Sequence, residues 1–396
     1  MINLEVPRKL TTLVDQARQA AMAFLRPNSR KYDQAEHTYP KELDTLASLL
    51  DGLSASGGGA GAGGVRRSSG KASTANLSLV LGTMEMCWGD AGLLLSMPRQ
   101  GLGNAAIASV ASEEQLARYK GKWAAMAITE PDTGSDSGAI RTTAVRDGDH
   151  YVLNGEKIFV TSGERADCVV VWATLDRSLG KAAIKSFVVD RDTPGFELVR
   201  LEHKLGIRAS DTAHFRLDNC RVPAENLLGS PEIKPDQGFA GVMQTFDNTR
   251  PLVAAMAVGI TRAALEETRR LLTEAGVTID YDRPANTQHA AAATFLEMEA
   301  DYEAMYLLTL QAAWMADNRK PNSLQASYAK AKAGRSATAI TLRCVELAGS
   351  IGYTEHELLE KWSRDAKIMD IFEGTQQIQQ LIIARRLLGK TSAQLK

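Results

Sequence analysis

The feature that most constrains this chain is a change of texture in its middle. From Met126 to about Gly229, short β-rich runs follow one another between turn residues: TTAVRDGDHYVLNGEKIFV, CVVVWATL, SFVVD, FELVRL and AHFRLDN. Asp147-Gly148 and Asn154-Gly155 are dipeptides that favour hairpin turns. Strands this short and regular predict an antiparallel barrel or sandwich of roughly 100 residues. On both sides the pattern is helical. Leu43, Leu46, Leu49, Leu50 and Leu53 share one helix face, and the pattern resumes at Leu77, Val80 and Leu81 and from Glu113 to Tyr119. Beyond about Gly238 the chain is rich in Ala, Leu, Glu and Arg. It predicts long helices over Pro251 to Ala275, His289 to Asn318, Asn322 to Ala348 and Glu355 to Leu388, as in a four-helix bundle. The expected fold is therefore α+β, with an N-terminal α-helical domain (1–125), a central antiparallel β-barrel domain (126–230) and a C-terminal four-helix bundle (231–396).

Bulk properties remove several function classes. A net charge of −1 argues against broad nucleic-acid or anionic-membrane binding through a basic surface. The four cysteines, Cys87, Cys168, Cys220 and Cys344, form no CxxC pair, so neither a zinc knuckle nor a redox dithiol is indicated. With no signal peptide visible, a reducing cytoplasm is the expected setting. No charge-free apolar run reaches the roughly 18 residues of a spanning helix. The six histidines show neither HxxxH nor HExxH spacing, so no metal centre is expected, and the absence of GxSxG leaves an α/β-hydrolase triad without its elbow. A GxGxxG match at Gly59, Gly61 and Gly64 follows a helical segment rather than a strand, and is expected to be part of a loop spanning 54–73.

Four segments carry candidate chemistry. In RDAKIMDIFEGTQQIQQLIIAR, Glu373 stands among Ile368, Ile371, Phe372, Ile378, Leu381 and Ile382. Desolvation there would raise its pKa toward the range useful to a base, and Gly374 lets the chain turn; the alternative is a helix-terminal Glu beside a glycine cap. AITEPDTGSD supplies the hydroxyls of Thr129, Thr133 and Ser135 and a flexible Gly134, which suits a ring edge or a phosphate, or equally a turn-rich helix cap. KIFVTSGERAD sets Phe159 beside Thr161 and Ser162; the ring could flank a flat heterocycle, although a strand-end core Phe is the commoner meaning. FDNTRP is expected to open a long helix, placing Arg250 near a helix start that disfavours cations, so that it is either exposed or serves a negative group.

Taken together, TEPDTGSD, KIFVTSG, FDNTRPLVAA and RDAKIMDIFEGTQQIQ, in this order and spacing, resemble the acyl-CoA dehydrogenase family from roughly Asp90 to Lys390. The resemblance implies FAD, an acyl-CoA substrate oxidised to 2-enoyl-CoA, and electron-transfer flavoprotein as acceptor. It places Met126, Ile128 and Thr129 along one side of the flavin and Ser135 at a flavin or CoA phosphate. Phe159 falls where most members have Trp, followed by Thr161. Phe246, Asp247 and Arg250 match the helix that approaches the thioester. Glu373 matches the catalytic base, taking the α-proton as hydride passes to flavin N5, with Thr375 and Gln377 near the flavin. Members that carry their base on the FDNTR helix have it where this chain has Thr249.

The chain departs from the family on the side that serves a neighbouring subunit's FAD. LLTEAGVTIDYDRPANTQ has Glu274 or Ala275 where an Arg is usual, with Arg283 as a possible substitute, and ELAGSIG carries Glu346 in place of Gln. These losses leave open a homo-oligomer or an α2β2 hetero-oligomer with a related chain, a flavin-poor structural subunit, and an oxygen-using enzyme on the same fold.

Overall fold

A computed structural model of the chain describes residues 7–53, 74–99, 102–233, 240–391 and 394. The Gly-rich segment 54–73 lies outside these residues, and for 240–248, which include Phe246 and Asp247, only the backbone is described. The N-terminal part comprises α1 (Arg8–Ala20), α2 (Ser29–Gln34), α3 (Glu42–Leu53), α4 (Ala75–Gly89), α5 (Ala91–Leu95), α6 (Leu102–Val110) and α7 (Glu113–Arg118). Of the leucine stripe of α3, Leu43 and Leu46 are buried, whereas Leu49 is 53% exposed and only the backbone of residues 50–53 is described. Ser112 and Gln115 close a capping box that starts α7.

The middle holds β1 (Ala124–Ala127), β2 (Thr143–Asp147), β3 (His150–Thr161), β4 (Cys168–Thr174), β5 (Ile184–Asp190), β6 (Phe196–Leu201) and β7 (Thr212–Pro223). They form one curled sheet in the order β1-β4-β2-β3-β7-β6, with β5 paired to β4. Pairing is antiparallel except at β4, to which β1 and β2 run parallel. Every residue of β4 is buried, which is why CVVVWAT is continuously apolar rather than alternating. Asp147-Gly148 does make the β2–β3 turn, with Gly148 at φ 62°. Asn154-Gly155 does not turn: it sits inside β3 at an irregularity in the pairing with β7. Gly155 is needed there for close approach, since a Cβ would lie 2.5 Å from the Thr142 hydroxyl.

The C-terminal part comprises α8 (Ala240–Glu274), α9 (Ala290–Asp317), α10 (Ser323–Tyr353), α11 (Leu359–Ala366) and α12 (Gln376–Leu388). Two of these differ from the sequence expectation. Helix α8 starts at Ala240 and carries Pro251 inside it, so Arg250 is an interior residue and the helix-start argument does not apply. The segment expected to be one helix from Glu355 is broken into α11, a short 3-10 turn over Lys367–Asp370, an irregular turn and α12; Glu373 stands in the break.

The helical parts share one core. Leu77, Val80, Leu81, Met84 and Cys87 of α4 pack with the apolar faces of α8, α9, α10 and α11, while the strands enclose a second core around Leu153, Val171, Phe187 and Phe215. A buried ionic junction ties the parts together. Lys361 of α11 reaches Asp90 (2.7 Å) and Asp365, and Asp365 accepts from the Ile207 amide in the loop between β6 and β7. Gly206 in that loop packs against the Arg364 backbone, where a Cβ would come within 2.5 Å. The segment leading to Glu373 is thus fixed to both the N-terminal helices and the sheet.

Candidate active site

Glu373 adopts φ 54° and Gly374 φ 90°, so two successive residues are left-handed where the helix breaks. Such a conformation costs a non-glycine residue about 1–2 kcal/mol and persists only where the surroundings hold it. Two side chains do so. Lys330 of α10, fully buried, donates to the Gly374 carbonyl at 2.6 Å. Gln379 of α12, also fully buried, donates from Nε2 to the carbonyls of Glu373 (3.3 Å) and Gly374 (3.1 Å). Thr375 caps α12 by accepting from the Ile378 amide.

Glu373 is partly buried as a residue, and its carboxylate is surrounded by protein. Desolvation raises its pKa. Three groups oppose this without cancelling it: the Thr249 hydroxyl, which donates to Oε2 at 2.8 Å, and the charges of Lys330 and Arg250. Arg250 is buried, not exposed, and belongs to the electrostatic surroundings of both Glu373 and Lys330. Burial pushes the Lys330 ammonium down to about 8, against the pull of Asp370 and Glu373.

The second group of predicted residues lies at one end of the sheet. Met126 on β1 and Ile128 just after it are partly buried against Ile140, Trp172 and Ile184. Thr129 is partly exposed, and its carbonyl accepts from the Ile158 amide at 2.9 Å, tying the TEPDTGSD loop to β3. Within that loop Ser135 is exposed. Glu130 is the anchor. Its buried carboxylate accepts from the Thr142 amide and hydroxyl, the Arg141 amide and Lys157 Nζ (2.8 Å). Burial would raise its pKa, but Lys157, Thr142 and the Arg141 amide outweigh this and hold it below the usual value.

Phe159 corrects the core expectation. Tyr151, Leu153 and Lys157 occupy inward positions of β3, and Phe159 would continue the series. An irregularity between Lys157 and Val160 shifts the register, and Phe159, at φ 57°, is turned outward and left 61% exposed. Thr161, at the end of β3, is partly exposed, and Ser162 beyond it is again left-handed at φ 58°. From there the Ser162 amide donates to the Asp211 carbonyl, in the loop that Asp365 grips. The residues at this end of the sheet and the segment carrying Glu373 are therefore parts of one framework. Thr375 is partly exposed and Gln377 exposed on the first turn of α12.

Sequence reasoning missed Lys330, Gln379 and the Glu130–Lys157 pair. A signal for Lys330 was present: it shares a helix face with Ala326, Ala333 and Ala337, a lone cation on an otherwise small, buried stripe.

Residues 125–220 match the acyl-CoA dehydrogenase middle domain and residues 236–388 the acyl-CoA dehydrogenase C-terminal domain. The chain is 41% identical over 262 residues to the mitochondrial short-chain specific acyl-CoA dehydrogenase of Bos taurus, a match covering 66% of this chain but 62% of that protein's length. It is 32% identical over 405 residues to an acryloyl-CoA reductase (NADH) of Anaerotignum propionicum, covering 98% of this chain and 97% of that one. Among solved structures it is similar to a glutaryl-CoA dehydrogenase from Mycobacterium smegmatis in complex with FADH2, with a TM-score of 0.82, 26% identity, and coverage of 98% of this chain and 96% of that chain. The matched spans contain the loop held by Glu130, the helix carrying Thr249 and Arg250, and the break carrying Glu373; the chain belongs to the acyl-CoA dehydrogenase family.

Proposed function

We propose that the protein is a FAD-dependent oxidoreductase that dehydrogenates an acyl-CoA thioester to the 2-enoyl-CoA, with Glu373 as the base. The observation that carries the reading is the desolvated Glu373 carboxylate of raised pKa, presented from a left-handed break between helices and accepting from Thr249. The residues present fit the cofactor. Phe159, turned outward at an energetic cost, offers an uncovered aromatic face beside the partly exposed hydroxyls of Thr129 and Thr161. Met126 and Ile128 supply apolar surface on the same end of the sheet, with Ser135, Thr375 and Gln377 as polar contacts.

FAD, when bound, supplies the two-electron acceptor for the hydride that leaves the β-carbon. Glu373 removes the α-proton, and the electrons of that C–H bond form the α,β double bond. Its amide N–H, fixed by the turn, is assigned to the thioester oxygen, where a donor strengthens as enolate charge develops. Thr249, Lys330 and Arg250 favour the charged carboxylate before reaction, against the desolvation that raises its pKa. Phe246 and Asp247, on α8 ahead of Thr249, are assigned to the thioester-facing stretch.

The same proposal includes the three-part division at 125/126 and 230/231, a cytoplasmic setting and electron-transfer flavoprotein as acceptor. Among the described residues no helix is long and apolar enough to cross a membrane. Homo-oligomer and α2β2 assembly are separated by the FAD content and mass of the chain expressed alone. The similarity to a protein named as a reductase favours a second reading in which a protonated Glu373 delivers the proton in the reverse direction. The test is anaerobic mixing of the yellow holoprotein with butyryl-CoA. Bleaching of the flavin band without oxygen uptake, abolished in Glu373→Gln, is expected; a flavin that is not reduced, or is reduced equally by the Gln variant, refutes the base assignment.

A further inference from the structure

We propose that Lys330 is a positioning residue for the Glu373 base: its ammonium, docked on the Gly374 carbonyl, holds the left-handed turn that aims the carboxylate. The inference rests on the assignment of Glu373 above and extends it to a group on a different helix, 43 positions earlier in the chain.

A fully buried lysine is expensive. A Met or Leu would fill the same space on the Ala326, Ala333 and Ala337 face without the desolvation cost. What the ammonium does is specific. It donates at 2.6 Å to the carbonyl of Gly374, the second left-handed residue of the turn, while Gln379 donates to the same carbonyl from the other side. At a helix break the backbone carbonyls lose their partners within the helix, and leaving one buried and unpaired costs about 1–3 kcal/mol. The turn therefore depends on these two donors. Gln379 belongs to α12 and moves with the turn it supports. Lys330 belongs to α10, which is packed against α8 and α11 through Ala329, Ala333, Ala337 and Ile340. It is the donor that ties the turn to the rigid part of the bundle.

The ammonium also faces the base electrostatically. The charged groups that face it are Asp370 and Glu373, which favour its charge, and Arg250 on α8, which opposes it; Asp370 is shared with Lys367 at 3.1 Å. Glu373 in turn feels Lys330 and Arg250, with Thr249 donating to it directly. Removing the Lys330 charge takes away one of the groups that favour the carboxylate, so the base should titrate at higher pH. Lys330 itself is pushed down to about 8, so its support fades on the alkaline side.

The test compares FAD-loaded wild type with Lys330→Met, which keeps the volume and removes both donor and charge, and Lys330→Gln, which keeps a donor without the charge. Backbone hydrogen exchange is followed over residues 368–379, together with the pH dependence of anaerobic flavin reduction by butyryl-CoA. For Lys330→Met the expected result is exchange faster by on the order of 10-fold, confined to this segment, as for one lost charge-assisted hydrogen bond. The ascending limb of the pH profile should also move to higher pH. For Lys330→Gln exchange should stay nearer wild type while the limb still moves. Unchanged exchange in both variants overturns the proposal, as does faster exchange spread over the whole chain with an unmoved limb. If butyryl-CoA fails to reduce the wild-type flavin, the base assignment falls, and the exchange comparison alone still decides whether Lys330 holds the turn.

Discussion

Replacing Thr249 by Val should move the titration of the base without dismantling the site. Thr249 is buried, and its hydroxyl donates to Glu373 Oε2 at 2.8 Å. Val has nearly the same shape and no donor. The hydroxyl stabilises the charged carboxylate, so its loss favours the protonated form, and the pKa, already raised by desolvation, rises further. A hydrogen bond to a charged group contributes about 1.5–3 kcal/mol, and one pK unit corresponds to about 1.4 kcal/mol, so the shift should be about 1–2 units. Lys330 and Arg250 remain to favour the charge, which points to the lower end of that range.

The assay is stopped-flow anaerobic flavin reduction by butyryl-CoA from the acidic to the alkaline range. The ascending limb should move toward alkaline pH by the stated amount, while the plateau rate changes only a few-fold, because the base and its position are retained. A limb that stays in place, in a variant that still binds FAD and melts near the wild-type temperature, would show that the contact contributes nothing to the ionisation of Glu373. A fixed limb with a strongly reduced plateau would assign Thr249 to substrate alignment instead.

Glu373→Gln should lose at least ~10²-fold in flavin reduction, the low end for general-base catalysis, while becoming more stable. The sign follows from linkage: a carboxyl whose folded pKa is raised opposes folding once pH exceeds its unfolded value. The melting temperature of the Gln variant should therefore pull ahead of wild type as pH rises from the acidic range to neutrality, and calorimetry at two pH values checks it. Lys157→Met should destabilise by about 3–5 kcal/mol, because it leaves the buried Glu130 carboxylate without its charge partner. Urea unfolding measures this, and adding Glu130→Gln should recover part of the loss. Phe159→Gly should leave the stability of the FAD-free protein within about 1 kcal/mol, since relief of the left-handed strain offsets the entropy of glycine. It should nevertheless weaken FAD binding several-fold, the equivalent of the about 0.5–1.5 kcal/mol of an aromatic stacking contact; equal flavin affinity by fluorescence titration would remove Phe159 from the cofactor site.

Much of the architecture was legible because it rests on local periodicity. The helix α3, the Asp147-Gly148 turn and the continuous apolar run of β4 each follow from the residues within one element. What was not legible depends on partners far away in sequence. Asn154-Gly155 has turn chemistry, yet the β7 ladder and the closeness of Thr142 keep it inside a strand. Pro251 reads as a helix start, yet apolar packing carries α8 through it. The apolar neighbours and the following glycine made Glu373 a candidate base, with a helix-terminal Glu beside a glycine cap as the alternative; the donors that hold its turn, Lys330 and Gln379, act through backbone carbonyls, which carry no sequence signature.

Four of the strained backbone positions connect the two groups of site residues. Phe159, Ser162, Ile207 and Glu373 are all non-glycine residues with positive φ, at 57°, 58°, 47° and 54°. They lie along one path, from the end of β3, through the loop gripped by Asp365, to the break after α11. Each costs on the order of 1–3 kcal/mol, and a fold selected for stability alone would relax them. Each instead stands beside a buried polar anchor: Lys157 with Glu130 below Phe159, Asp211 at Ser162, Asp365 at Ile207, and Lys330 with Gln379 at Glu373. Buried polar contacts of this kind add little net stability but fix geometry, since an unpaired partner is costly. Left-handed non-glycine residues also occur elsewhere, at His37, Arg99, Asn219 and Arg319, but these four are linked through buried polar contacts into one path, with an uncovered aromatic ring at one end and the Glu373 carboxylate at the other. Under the proposed function, the flat acceptor sits at the ring and the reacting C–H bond between it and the carboxylate, and these four positions are the backbone that links the two ends.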